Sequence, residues 1–163
     1  MQDSARRRAG TTVAAILLAD AAAHVYWLTG ATWPASNVRD LSLALLGAEF
    51  PFTPRVLIPL AVALCVGAAS ALVLARRSSG PRWVRIPALL VTATVCAATG
   101  ARAILGVIWI AGIGIADNDV LFWLNLVLYT PLCLVLMVSS GLLAVDAFRE
   151  TRARDESRRR VIG

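Results

Sequence analysis

Lysine is missing from this sequence altogether, histidine occurs once, and cysteine three times among 163 residues. The three thiols, Cys65, Cys96 and Cys133, fall in separate apolar runs without C-x-x-C spacing. That excludes a dithiol redox pair or a zinc knot and reads all three as small hydrophobes. It also argues against the four-helix, quinone-linked thiol oxidoreductases. A single histidine rules out H-E-x-x-H, and no G-x-S-x-G nucleophile elbow is present. No catalytic residue, metal or cofactor is expected on these grounds. Also lacking is any polar stretch long enough for a separate soluble domain.

Apolar side chains fill the space instead, at 58% of the chain. Four runs, residues 11–29, 56–75, 86–111 and 120–147, approach or exceed the roughly 20 residues needed to cross a bilayer. They predict one all-α unit, a membrane-spanning four-helix bundle, with residues 148–163 as a charged tail. The first run follows Arg6, Arg7 and Arg8 and resembles a signal peptide. Asp20, beside the Ala21–Ala23 cleavage-like stretch, argues that the segment stays on as the first span. Pro54 suits a helix start. Ser78-Ser79-Gly80-Pro81 reads as a tight turn and Asp117-Asn118-Asp119 as a short acidic one. Gly112 and Gly114 loosen the end of the third run. Pro131 is expected to kink the fourth and free a backbone carbonyl. Between the first two spans, Asn37 can cap a short interfacial helix through about Leu46, with Val38, Leu41 and Leu45 on one face.

Without lysine, the net charge of +6 rests on arginine alone. Three arginines precede the first run, four lie in the 76–85 turn, and six follow from Arg149. The two opposite loops carry only Arg39 and Arg55. This bias predicts an N-in/C-in protein with both termini cytoplasmic. It assigns the arginines to topology and to anionic lipid headgroups, and not to nucleic acid. Small residues recur every fourth position at Ala63, Gly67, Ala71 and Ala75, and again at Ala88, Thr92, Cys96 and Gly100. Such stripes predict close helix packing, within the bundle, in a homo-oligomer or against another membrane protein.

Few polar groups enter the apolar runs: Asp20, His24, Arg102, Asn125 and Tyr129. Asp20 and His24 share a helix face, as do Asn125 and Tyr129. At about 1.5 Å per residue, Asp20 lies at mid-membrane, and His24, Arg102 and Tyr129 roughly 6 to 10 Å toward the outside. Asn125 lies slightly further out. The expectation is one polar cluster, Arg102 paired with Asp20 and His24 beside them, because charges at membrane depth seek partners and mark sites. Tyr26, Trp27 and Trp33 read as an interfacial aromatic belt.

The segments His24-Val25-Tyr26-Trp27, Gly30, Trp33-Pro34, Asn125 and Leu128-Tyr129-Thr130-Pro131-Leu132-Cys133 together resemble a bacterial, largely actinobacterial family of small four-helix membrane proteins classed as a domain of unknown function. The resemblance implies a bacterial inner membrane and carries no activity, substrate or catalytic residue. Four readings stand open on the residues: a polar cluster that only fixes helix register, a small or lipid-soluble ligand bound by that cluster, an enzyme using His24 and Asp20 as an acid–base pair, or an accessory subunit of a membrane complex. A transporter would require oligomerisation, since no internal repeat relates the two halves.

Overall fold

The computed structural model describes residues 1–76, 81–113 and 119–162, and all of their regular structure is helical. Six α-helices follow one another: α1 (Asp3–Leu28), α2 (Val38–Leu46), α3 (Pro54–Ala75), α4 (Arg82–Ile110), α5 (Asp119–Leu124) and α6 (Thr130–Ile162). Arg77, the Ser78–Gly80 turn, Gly114 and the Asp117–Asn118 pair lie outside the described residues.

Local chemistry explains where the helices begin and end. Thr53 precedes α3 and Pro54 opens it, where a missing N–H costs no intrahelical bond. Asn37 caps α2, its side chain accepting from the Asp40 N–H at 2.9 Å. Gly47 ends the same helix at φ +68°, a left-handed conformation that glycine adopts without strain. Gly112 does the same after α4 at φ +77°. Helix α1 begins eight residues ahead of the first apolar run, because Arg6 is paired against α6 and not left in solvent.

The fourth long helix contains the largest departure from regular geometry. Asn125–Tyr129 form a π-turn joining α5 to α6, and the Thr130 N–H donates to the Asn125 carbonyl five residues back. Pro131 has no N–H to offer, and the widened turn takes up the misfit that was expected as a kink.

Helix α1 packs on α3 and α4 on α6, while α3–α4 and α1–α6 contacts close the ring. A Cβ on Gly10 would collide with that of Ala75 and come within 3.1 Å of the Ala71 carbonyl, so α1 and α3 nearly touch there. Val13, Leu17, Ala68, Ala71, Leu136 and Leu143 form the central core. The two small-residue stripes are used inside the bundle. Gly67, Ala71 and Ala75 are buried, and Gly67 lies against Leu17. Ala63 departs from that pattern and is exposed. On α4, Cys96 Sγ donates to the Met137 carbonyl at 3.4 Å, and a Cβ on Gly100 would lie 3.2 Å from Met137 Sδ.

The exterior is apolar all round, with Ile58, Val62, Val66, Leu90, Ile104, Val107, Val138, Leu142 and Val145 exposed. Four helices, the α5–α6 unit counting as one, are long and apolar enough to cross a membrane. A bundle in water would need polar residues at those outer positions, whereas one in lipid must keep them apolar.

Candidate functional site

Polar side chains gather at the two opposite ends of the bundle. At the end away from the chain termini, α1 contributes Asp20, His24 and Trp27, and the segment from α2 to the start of α3 contributes Leu45 to Leu60. Arg102 from α4, Tyr129 from the π-turn and Cys133 from α6 complete a cavity of about 960 Å³. That is near the upper end of the roughly 300–1,000 Å³ usual for small-molecule sites.

The local arrangement starts on α1. His24 Nδ1 lies 2.8 Å from the Asp20 carbonyl oxygen and 3.3 Å from its Oδ1. The imidazole meets Trp27 edge-on at 5.1 Å, and Trp27 meets Phe52 in the same manner at 5.6 Å. Trp27 Nε1 donates to the Trp33 carbonyl at 3.1 Å, tying the loop after α1 back onto its helix. Trp27 is therefore part of the cavity wall as well as an aromatic marker.

The expected Asp20–Arg102 ion pair is not formed. Asp20 is engaged by His24, one turn along the same helix, where helical geometry keeps the two within reach. Arg102 places its guanidinium carbon 4.9 Å from the Trp109 ring centre and 5.4 Å from that of Tyr129. Trp109 stands two turns further along α4. The α4 seven-residue spacing was a legible signal that the sequence reading did not use. Arg102 Nη1 is buried without a hydrogen-bond partner. Cation–π contacts contribute about 0.5–2 kcal/mol each, and an uncompensated buried charge costs several. The rings offset only part of that cost.

Asn125 stands apart from the other four candidates. It is fully buried and does not line the cavity. Its Nδ2 donates to the Leu121 carbonyl at 2.8 Å, while Oδ1 and the Thr130 hydroxyl have no hydrogen-bond partner among the described residues. A Cβ on Gly106 would collide with that Thr130 hydroxyl and lie 3.4 Å from Arg102 Nη1. The bare α-carbon of Gly106 thus makes room for both groups.

At the opposite end, Arg6 is 1% exposed and joins three helices. Its Nε donates to the Leu74 carbonyl at 2.7 Å, Nη1 pairs with Asp146 at 3.0 Å, and the guanidinium also bonds Glu150. Arg85 reaches Glu150 from α4 at 2.6 Å, and the N-terminal ammonium reaches Asp146 at 2.9 Å. Burial alone would raise the Glu150 carboxyl; hydrogen bonds and charge from Arg6 and Arg85 outweigh it and hold the group below its ordinary value. Every long helix enters this clasp, which sets both termini at one end of the bundle. In sequence, Arg6 and Arg85 carry only a topology signal. The i,i+4 spacing of Asp146 and Glu150 was the available hint.

Among the described residues, no group of three or more His, Cys, Asp or Glu side chains could hold a metal ion. Residues 9–140 match the family model described as a protein of unknown function, DUF3995. The chain belongs to the DUF3995 family. The matched stretch contains every residue that lines the cavity, whereas Arg6, Asp146 and Glu150 of the clasp lie outside it. For this DUF3995 member, no curated protein and no solved structure gives a match.

Proposed function

We propose that this DUF3995 protein is a multi-pass protein of a bacterial plasma membrane that binds a small or lipid-soluble ligand. Both termini are cytoplasmic in this reading, so the clasp faces inward and the cavity outward. The arginine distribution supports the orientation. The observation that carries the binding role is the cavity itself, which gathers Asp20, His24, Arg102 and Tyr129 within largely apolar walls. Ionisable groups at membrane depth that border a cavity mark binding sites by default.

Native mass spectrometry of the protein, purified in mild detergent, tests the reading. A retained adduct is expected in the wild type and absent from Val56→Trp, which fills the cavity. The same adduct in both proteins, or none in either, overturns the proposal.

The Asp20–His24 contact favours one further reading, an enzyme in which His24 moves a proton and Asp20 orients it. His24→Ala would then retain the adduct and abolish its turnover. An accessory subunit would have to use faces other than the small-residue stripes, which are largely consumed inside the bundle. Anionic headgroups fit Arg149 and Arg152, which border a groove of about 550 Å³ between α4 and α6.

A further inference from the structure

We infer that the cavity selects anionic amphiphiles, holding one carboxylate or phosphate headgroup at Arg102 and the apolar chain along α2 and the start of α3. This rests on the binding role proposed above and names the chemical class of its ligand.

Asp20, His24 and Arg102 are the acidic and basic side chains that line the cavity. Two of them answer each other, since His24 stands against both the carboxylate and the carbonyl of Asp20. Arg102 forms no ion pair among the described residues, and its guanidinium carbon lies over the rings of Trp109 and Tyr129. Face contacts and edge contacts do not compete. A ring holds the guanidinium by its π-face, while the N–H donors lie in the guanidinium plane and match a carboxylate or phosphate. The Arg102 guanidinium is therefore oriented by aromatic side chains and has no carboxylate partner among the described residues. Tyr129 adds a hydroxyl that makes no hydrogen bond among the described residues and can donate to the same headgroup.

The walls define the rest of the ligand. Leu45, Leu46, Phe50, Phe52, Leu57 and Leu60, from α2 to the start of α3, contribute apolar lining to the cavity. A chain already dissolved in lipid gains little by moving onto leucine and phenylalanine, because lipid tails are as apolar as those side chains. Selectivity must then come from the headgroup, and the group free to supply it is Arg102. A cationic headgroup would share the cavity with the Arg102 guanidinium, whose like charge disfavours it.

Binding to the purified full chain in nonionic detergent tests this, with tetradecanoate, tetradecyl phosphate, tetradecanol, tetradecylamine and inorganic phosphate as probes. Both anionic amphiphiles should bind at least about tenfold more tightly than tetradecanol. Inorganic phosphate should not compete with them. Equal binding by phosphate and tetradecyl phosphate would show a free-anion site and overturn the amphiphile assignment. Arg102→Gln should lower anion affinity to that of tetradecanol, and Arg102→Lys should restore part of the difference. Asp20→Asn removes the carboxylate that lines the cavity and gives an independent check should Arg102→Gln fail to fold. It should tighten both anions several-fold relative to tetradecanol; a fall in anion affinity relative to tetradecanol would overturn the inference.

The binding role and the headgroup assignment fail differently. If tetradecanol and the anions bind equally and Val56→Trp blocks them all, the cavity binds ligands and the headgroup assignment is wrong. Preference for tetradecylamine also overturns the assignment and points to Asp20. If no amphiphile binds, the binding role itself falls.

Discussion

Arg6 and Arg102 are both arginines with buried nitrogen atoms, and their surroundings differ in one decisive respect. Arg6 is answered by two carboxylates and a backbone carbonyl, so its charge is internally balanced. Arg102 is answered by two aromatic rings. The balanced group should govern stability. Removing Arg6 deprives the Leu74 carbonyl and Glu150 of a donor and Asp146 of an ion-pair partner. Arg6→Gln is expected to cost about 2–3 kcal/mol, read from thermal unfolding in detergent. Glu150 adds a pH dependence to the same measurement. Its carboxyl titrates below the ordinary value, so the unfolded chain binds more protons across that window. The stabilisation is complete above about pH 4.3, the ordinary glutamate value, and is lost as pH falls through the lowered one. Wild type should therefore lose thermal stability on acidification from pH 5 toward pH 3, and Glu150→Gln should lose less. An identical acid response in the two proteins would remove Glu150 from the clasp's energetics. Of these residues, Asp20 and His24 were readable as a pair because they share one helix. The partners of Arg6 were not, since its carboxylates are more than 100 residues distant along the chain; for Arg102, Trp109 was legible from its spacing on α4, whereas Tyr129 is brought up by the π-turn.

At the level of elements, the tightest constraint lies between α1 and α3. Gly10 has no room for a methyl group against Ala75, so Gly10→Val must force the helices apart. A loss of about 1–3 kcal/mol is expected. Ala63→Val, at the exposed end of the same α3 stripe, should change stability by less than about 0.5 kcal/mol. Comparable losses from both substitutions would refute the contact assigned to Gly10. The four-residue spacing announced a packing stripe, yet it could not show where the stripe leaves the interface. That point is decided by the crossing of α1 over α3. Helix α2 was legible in full, from its Asn37 cap to its end near Leu46, because capping and turn preferences act within a few residues. The π-turn was only half legible. Pro131 required a disturbance ahead of it, but a kink and a widened turn satisfy the same missing hydrogen bond.

The whole molecule is a bundle closed by charge at one end and hollow at the other, with apolar side chains outward between them. Membrane orientation follows from which end is which. With Cys65, Cys96 and Cys133 replaced by alanine, Ser36→Cys should react with a membrane-impermeant maleimide in intact cells. Ser157→Cys should react only after lysis. Reversed labelling would overturn the proposed orientation and place the cavity on the cytoplasmic side. The sequence by itself determined the helical class, the four long apolar helices and the α2 cap, because hydropathy, capping and turn chemistry act locally along the chain. It also marked four residues that later meet in one cavity, since charged and hydrogen-bonding groups stand out within apolar runs. Tertiary structure alone decided their partners. It gave Asp20 to His24, set Arg102 between two rings, withdrew Asn125 behind the wall, and turned Arg6 and Arg85 into a clasp. Those choices depend on how helices far apart in sequence are rotated against one another, and no local preference carries that information.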